Sequence, residues 1–138
     1  KNYQNFCGFY STTVSKIQQE VLREFIRGGY FGRHLNKMRG IYKNKHDFLV
    51  SELKKRPWVE NIAGDNAGLH VLVHVDTQMN EAELCERAAE QGIHLMGISE
   101  HYIHKPPVLK PVLLLGYGKP DEKRILEGLN RLEHMILK

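Results

Sequence analysis

The organisation of this chain is decided by residues 28–42, which read Gly28-Gly29-Tyr30-Phe31-Gly32-Arg33-His34-Leu35-Asn36-Lys37-Met38-Arg39-Gly40-Ile41-Tyr42. Because glycine readily takes the left-handed conformation found at helix C-termini, the glycine pair predicts the end of one helix. Apolar side chains then recur at helical spacing and predict a second, longer helix from about Phe31 to Lys55. This apolar stripe is expected to make the core, and its positions are Phe31, Leu35, Met38, Tyr42, Leu49 and Leu53.

The helix before the glycine pair is expected to begin at Ser11, whose hydroxyl can cap it, and to run to about Arg27. Its apolar residues share one face: Val14, Ile17, Val21, Leu22 and Phe25. Further on, alternating apolar residues and turn chemistry predict four strands at Trp58–Ile62, Leu69–Val75, Ile93–Met96 and Val112–Leu115. Asn80 and Asp121 are placed to cap two more helices. The expected fold class is α/β, with helices packed on a small mixed sheet.

The composition is that of an ordinary globular protein, with 41% hydrophobic and 26% charged residues over a length of 138. No apolar run approaches the ~18 residues of a membrane span, so no membrane partner is expected. Two cysteines, Cys7 and Cys85, are too few for a disulfide framework, which predicts a cytoplasmic location. The first residues show neither an initiator methionine nor a signal-peptide core, which predicts a piece of a longer protein.

Several short motifs lack the context that their chemistry requires. His70 and His74 are four apart on a predicted strand, where they would lie about 13 Å from one another, so no metal site is predicted. The stretch Gly116–Lys119 lacks the long glycine span of a phosphate-binding loop and is followed by Pro120. Asp47 and Glu52 interrupt the basic face of the second helix. A standalone interaction or nucleic-acid-binding module is therefore only a minor alternative.

Taken in order along the chain, a set of short segments resembles the C-terminal portion of MocR-type regulators, a subfamily of the GntR-family bacterial transcription factors. The segments are Ser11–Ser15, Gln19, Phe25–Gly29, Arg33-His34, Met38-Arg39, Tyr42, Ala67–His70 and Leu114–Tyr117. They extend over nearly the whole chain, so the resemblance is more specific than any single motif.

The resemblance implies a parent protein in which a winged helix-turn-helix DNA-binding domain precedes a class I/II aminotransferase-like domain. Such a parent would bind pyridoxal 5'-phosphate, respond to a small amino-acid-like or vitamin-like effector, and form a homodimer. Residues 1–10 would end the interdomain segment, and residues 11–138 would form the small C-terminal domain of a fold-type-I enzyme. Its immediate partner would be the large aminotransferase-like domain of the same parent.

By the same resemblance, the lysine that binds the cofactor and the DNA-reading helices lie upstream of this chain. Ser15-Lys16 looks like the serine-lysine pair of such enzymes, but Lys16 leads into an amphipathic helix face instead of a glycine-containing loop. We therefore expect no catalytic, cofactor-binding or metal-binding residue here, and no catalysis by the fragment alone. The edge of the ligand pocket would be formed by Gly68, Leu69, His70, Ser99 and Tyr102.

One departure from the enzyme pattern concerns the strand before the last helix. Aminotransferases similar to this chain usually place there an arginine that binds the substrate carboxylate through its planar fork. Here the strand is Val112–Tyr117, and no arginine occurs between Arg87 and Arg124. This favours an effector-sensing domain. The alternative is the small domain of a genuine class I/II aminotransferase acting on an amino acid and a 2-oxo acid.

Overall fold

The computed structural model describes residues 14–64, 68–104 and 110–138. The chain divides into two compact units, Lys1–Arg39 and Gly40–Lys138. Three residues named above, Cys7, Ser11 and Ala67, lie outside the described residues. The expected boundary between residues 10 and 11 also lies outside them and stays a prediction.

The first unit contains helix α1, Lys16–Arg27. Its N-cap is Ser15, which accepts a hydrogen bond from the backbone N–H of Gln18, while the Gln18 side chain bonds back to the cap backbone. The expected start near Ser11 is therefore wrong, because this reciprocal capping box begins the helix four residues later. The expected end is confirmed, since Gly28 is the C-cap and Gly29 has a φ of 71°.

No residue of α1 is buried in the described structure. Its apolar face is intact but open, with Ile17 78% and Leu22 55% exposed. At the end of the helix, the Phe25 ring stacks on Tyr30 at a centroid distance of 6.0 Å, and the Arg33 guanidinium lies 4.6 Å from the Tyr30 ring centroid. The amphipathic pattern therefore produces the predicted helix without producing a core.

Helix α2, Tyr30–Leu53, has the predicted length, but its apolar stripe is buried only towards its C-terminus. Leu49 and Leu53 are buried, whereas Phe31 and Leu35 are exposed. The expectation that the whole stripe makes the core is thus wrong for its first two turns. Helical spacing predicts a shared face, but burial requires another element opposite that face.

The sheet of the second unit contains four strands in the order β1-β2-β4-β3: Val59–Ala63 (β1), His70–Val75 (β2), Met96–Gly97 (β3) and Val112–Gly116 (β4). Every described pairing is antiparallel, so the sheet is not mixed as expected. Strands β2 and β3 do run parallel to one another, but β4 lies between them and prevents a parallel pair. The predicted start of β3 at Ile93 is also wrong, because pairing begins only at Met96.

Two helices complete the second unit: α3, Glu81–Glu90, and α4, Glu122–Ile136. The predicted caps are confirmed, since Asn80 accepts from the Glu83 N–H at 2.9 Å and Asp121 accepts from the Arg124 N–H at 2.8 Å. The core includes residues from α2 and both of these helices, on the sheet face that presents Val71, Val73 and Val75. The predicted alternation along β2 is therefore confirmed. Within the described ranges, no helix is long and apolar enough to cross a membrane.

Candidate functional site

The first predicted pocket-edge segment, Gly68 to His70, is held at the start of β2 by Tyr117. The Tyr117 hydroxyl donates to the Gly68 carbonyl oxygen at 2.6 Å, and the Tyr117 N–H donates to the Leu69 carbonyl oxygen at 3.0 Å. Gly68 has a φ of 86°, a conformation that side chains rarely adopt. One buried tyrosine thus anchors two consecutive residues of this edge from the neighbouring strand.

Tyr117 is itself held from α2. Its ring meets that of His46 edge-on, with 5.6 Å between the centroids, and Lys45 Nζ donates to the Gly118 carbonyl oxygen at 3.0 Å. Burial raises the pKa of the Tyr117 hydroxyl, so the group stays neutral and can donate at physiological pH. The turn after β4 therefore links α2 to the start of β2.

His70 and His74 lie on the sheet face opposite the core, with Leu72 between them. The described residues include no group of three or more histidine, cysteine or acidic residues that could hold a metal ion. His70 lies against Gly116 across the β2–β4 pair, where a Cβ on Gly116 would come within 3.1 Å of the imidazole Cδ2. The bare backbone at Gly116 thus leaves room for the His70 ring.

The second predicted edge segment contains Ser99 and Tyr102, beside a short 3₁₀ helix at Ile98–His101. Glu81, the first residue of α3, holds this segment: its carboxylate accepts from the Ser99 N–H at 2.8 Å and from the Val112 N–H at 3.2 Å. A Cβ on Gly97 would collide with the same carboxylate. The absence of a side chain at Gly97 therefore leaves room for the Glu81 carboxylate, which connects the segment to β4 through its two hydrogen bonds.

Cys85 lies one turn after Glu81 on α3 and is half-buried. Burial raises the pKa of its thiol, and the nearby carboxylates of Glu81 and Glu100 raise it further. A raised pKa keeps the sulfur protonated and weakly nucleophilic at neutral pH. The arrangement fits a packing role for this side chain, which packs against the hydrophobic core.

The two predicted edge segments lie at different places on the sheet. His70 pairs with Gly116, whereas β3 ends at Gly97, which pairs with Leu113. The two positions are three residues apart along β4, or roughly 10 Å, and lie on opposite sides of that strand, roughly another 10 Å apart. The five residues therefore form no single cluster within this unit, and their role as the edge of a ligand pocket stays a prediction.

Sequence reasoning did not single out the residues that position these segments. Tyr117 is part of one of the segments that carry the resemblance. Its position directly after Gly116, at the end of an apolar strand, was the feature of the sequence that could have indicated a structural role. Glu81 had no such signal, because a carboxylate in the first turn of a helix is common for electrostatic reasons alone. Only the register of β3 and β4 brings two backbone N–H groups to it.

Comparison with solved structures defines the class of fold. The chain is similar to an archaeal alanine:glyoxylate aminotransferase, with a TM-score of 0.74 and 21% sequence identity, over 88% of this chain and 30% of that one. The fold is thus that of one part of a fold-type-I aminotransferase. No model of a known protein family matches the chain.

Sequence comparison identifies the more similar proteins as regulators. The chain is 34% identical over 135 residues to the uncharacterized HTH-type transcriptional regulator YdeL of Bacillus subtilis, covering 96% of this chain and 28% of that protein. It is 29% identical over 125 residues to the probable rhizopine catabolism regulatory protein MocR of Rhizobium meliloti, covering 89% and 25%. The resemblance to the aminotransferase-like portion of MocR-type regulators is confirmed. The chain spans between a quarter and a third of these relatives.

Proposed function

We propose that this chain is the small domain of the effector-sensing, aminotransferase-like part of a GntR/MocR-type transcriptional regulator. The observation that carries the proposal is the 34% identity over 135 residues to an HTH-type regulator, combined with an aminotransferase fold. The DNA-binding winged helix and the pyridoxal phosphate site belong, in this proposal, to other parts of a cytoplasmic, homodimeric parent.

Lys16 does not fit the lysine of a pyridoxal phosphate site. Lys16 is the first residue of α1, and it continues into a helix, so no loop of glycine and arginine follows it to hold a phosphate. When bound elsewhere in the parent, the cofactor supplies an aldehyde that reacts with amines. This chain contributes the edges of the effector pocket, positioned by Tyr117 and Glu81.

The surface expected to meet the rest of the parent is the apolar face of α1. Exposed contiguous apolar side chains of this kind mark interaction surfaces. On that face, Ile17, Val21 and Leu22 are more than half exposed. We expect the large domain to cover them. Effector binding would then favour one arrangement of the two domains and, through it, one orientation of the DNA-binding heads.

A genuine aminotransferase domain is the second candidate, because the similar solved structures are aminotransferases. Strand β4 speaks against it: none of its residues, Val112–Gly116, is an arginine that could bind a substrate carboxylate. An enzyme would need that arginine from another part of the parent.

The full-length protein that contains this chain provides the test. We expect it to bind pyridoxal phosphate with absorbance near ~400 nm, to shift DNA from its own promoter region, and to change that shift with an amino-acid-like effector. This chain alone should show only nonspecific lysine adducts with the cofactor. Steady turnover of an amino acid with a 2-oxo acid, without DNA binding, would instead establish the enzyme.

A further inference from the structure

A cleft of about 160 Å³ lies in the second unit between α4, β4 and residues 93–95. Residues Ile93–Leu95 line the cleft but do not pair with β4, because the pairing of β3 with β4 begins only at Met96. The space next to this unpaired part of β4 forms the cleft. None of the five predicted pocket-edge residues lines it. The cleft is therefore separate from the site discussed above.

The size and lining of the cleft suit a small apolar group. Its walls are mostly leucine and isoleucine side chains, among them Ile125 and Leu129 of α4. An engineered apolar cavity of ~150 Å³ binds benzene, so the volume here accommodates a single ring or a branched chain. A ligand of that size would reach both walls.

A glycine lies in each wall, and Gly128 leaves its wall without a side chain. Gly128 lies inside α4, where glycine is unfavourable relative to alanine. A Cβ there would meet nothing within 4 Å, so packing within the described structure does not require glycine. The other wall includes Gly116. In an antiparallel sheet, successive residues of a strand direct their backbone N–H and C=O groups to opposite neighbours. The Tyr117 N–H donates to the Leu69 carbonyl oxygen on the β2 side, so the N–H and C=O of Gly116 point away from β2. On that side, described strand pairing ends at Leu114.

The polar side chains that line the cleft include one permanent cation, Arg124. Arg124 and His94 line it, and no carboxylate does. In the described part of the chain the Arg124 guanidinium forms no ion pair. The carboxylate of Asp121, three residues earlier, accepts the backbone N–H of Arg124 as the helix cap. The cleft thus combines an apolar floor with an unpaired cation, which is complementary to an apolar anion.

We propose that this cleft is a binding site for a small aromatic or branched-chain carboxylate. The apolar group would lie between Gly128 and Gly116, and the carboxylate would meet the Arg124 guanidinium. The site does not depend on the pyridoxal phosphate site of the parent. It gives this domain a second ligand contact of its own.

Titration of the ¹⁵N-labelled chain with phenylacetate tests the proposal. We expect saturable shifts of the Gly116, Gly128 and His94 amide signals, with a dissociation constant on the order of 1 mM. The neutral analogue phenylacetamide should bind about five- to tenfold more weakly, because it lacks the charge that meets Arg124. Phenethylamine, which carries the opposite charge, should cause no saturable shift.

Matched variants separate the two halves of the site. Gly128→Leu fills the floor and should weaken phenylacetate binding at least about tenfold, while Asn130→Leu adds the same side chain outside the cleft and should leave binding unchanged. Arg124→Gln should reduce phenylacetate affinity to that of phenylacetamide. Lys123→Gln removes the same charge from the next position and should have no more than about a twofold effect.

Two results would overturn the proposal. One is the absence of saturable shifts at these three amides while the spectrum shows a folded chain. The other is equal affinity for phenylacetate and phenylacetamide, unchanged in Arg124→Gln. Because Gly128→Leu replaces a poor helix former with a good one, loss of binding in that variant cannot be attributed to unfolding if its amide spectrum is preserved.

Discussion

Each of the two compact units contains an amphipathic helix, but only the helix of the second unit buries its apolar face. Helix α1 carries an apolar stripe along its length and buries none of it, whereas α4 carries a comparable stripe and buries Ile125, Leu129 and Leu132. The difference is in the surroundings, because the buried residues of α4 belong to one core cluster with residues of the sheet, α2 and α3. Amphipathic spacing therefore specifies a helix and a face, and the partner element decides whether that face becomes core or interface.

The largest expected contrast is between two leucines truncated to alanine. Leu53→Ala removes a fully buried side chain and should lower the free energy of unfolding by about 2–5 kcal/mol, through lost burial and a cavity. Leu22→Ala, at a position 55% exposed in α1, should change it by less than about 0.5 kcal/mol. Chemical denaturation monitored by circular dichroism measures both. Equal losses would show that α1 is buried in solution.

A second contrast is between two glycine-to-alanine substitutions that should change stability in opposite directions. Gly97→Ala places a Cβ against the Glu81 carboxylate and should destabilise the chain by about 1–3 kcal/mol. Gly32→Ala lies in α2, where a Cβ would meet nothing within 4 Å, and should add up to about 1 kcal/mol of helix stability. Thermal denaturation would show opposite shifts of the midpoint. A gain in stability for Gly97→Ala would contradict the position assigned to Glu81.

A third and smaller contrast compares the caps of α4 and α1. Asp121→Ala removes the acceptor for the Arg124 N–H and should cost about 1 kcal/mol of global stability. Ser15→Ala removes the equivalent acceptor for Gln18, but in a helix with no buried residue. We expect it to speed amide exchange within α1 without moving the global transition. A matching global loss for Ser15→Ala would mean that the two units unfold together.

The smallest expected effect is a pH dependence carried by Cys85. Since its folded pKa is raised, the thiol contributes stability that is present below the unfolded pKa of about 8.5 and is lost as pH rises through the folded value. In a Cys7→Ser background, Cys85→Ala should therefore flatten the decline of stability above about pH 8.5. Identical slopes with and without the Cys85 thiol would exclude this contribution.

Local chemistry explains which parts of the fold could be predicted. The caps at Asn80 and Asp121, the helix end at Gly29, and the buried face of β2 depend on residues a few positions apart. The sequence alone therefore contained the necessary information.

Parts of the fold that depend on distant residues were missed. The late start of β3, the exposed first turns of α2 and the all-antiparallel sheet depend on which elements lie opposite one another. For the site, the resemblance indicated segments near Gly68 and Ser99 but could not reveal that Tyr117 and Glu81 hold them. Those hydrogen bonds join residues 49 and 18 positions apart in the chain.

The two hydrogen bonds that the Glu81 carboxylate accepts have a consequence for how the sequence of this region can evolve. One carboxylate binds the backbone at Ser99 and at Val112, so both ends of the intervening segment are attached to the same helix turn. The closure entropy of a loop grows only slowly with its length, by about 0.6 kcal/mol per doubling. Insertions, deletions and new sequence between those anchors can therefore accumulate while β3 and β4 keep their register. The contacts are to backbone N–H groups, which any residue except proline supplies, so the sequence of the segment can change while its two ends stay attached.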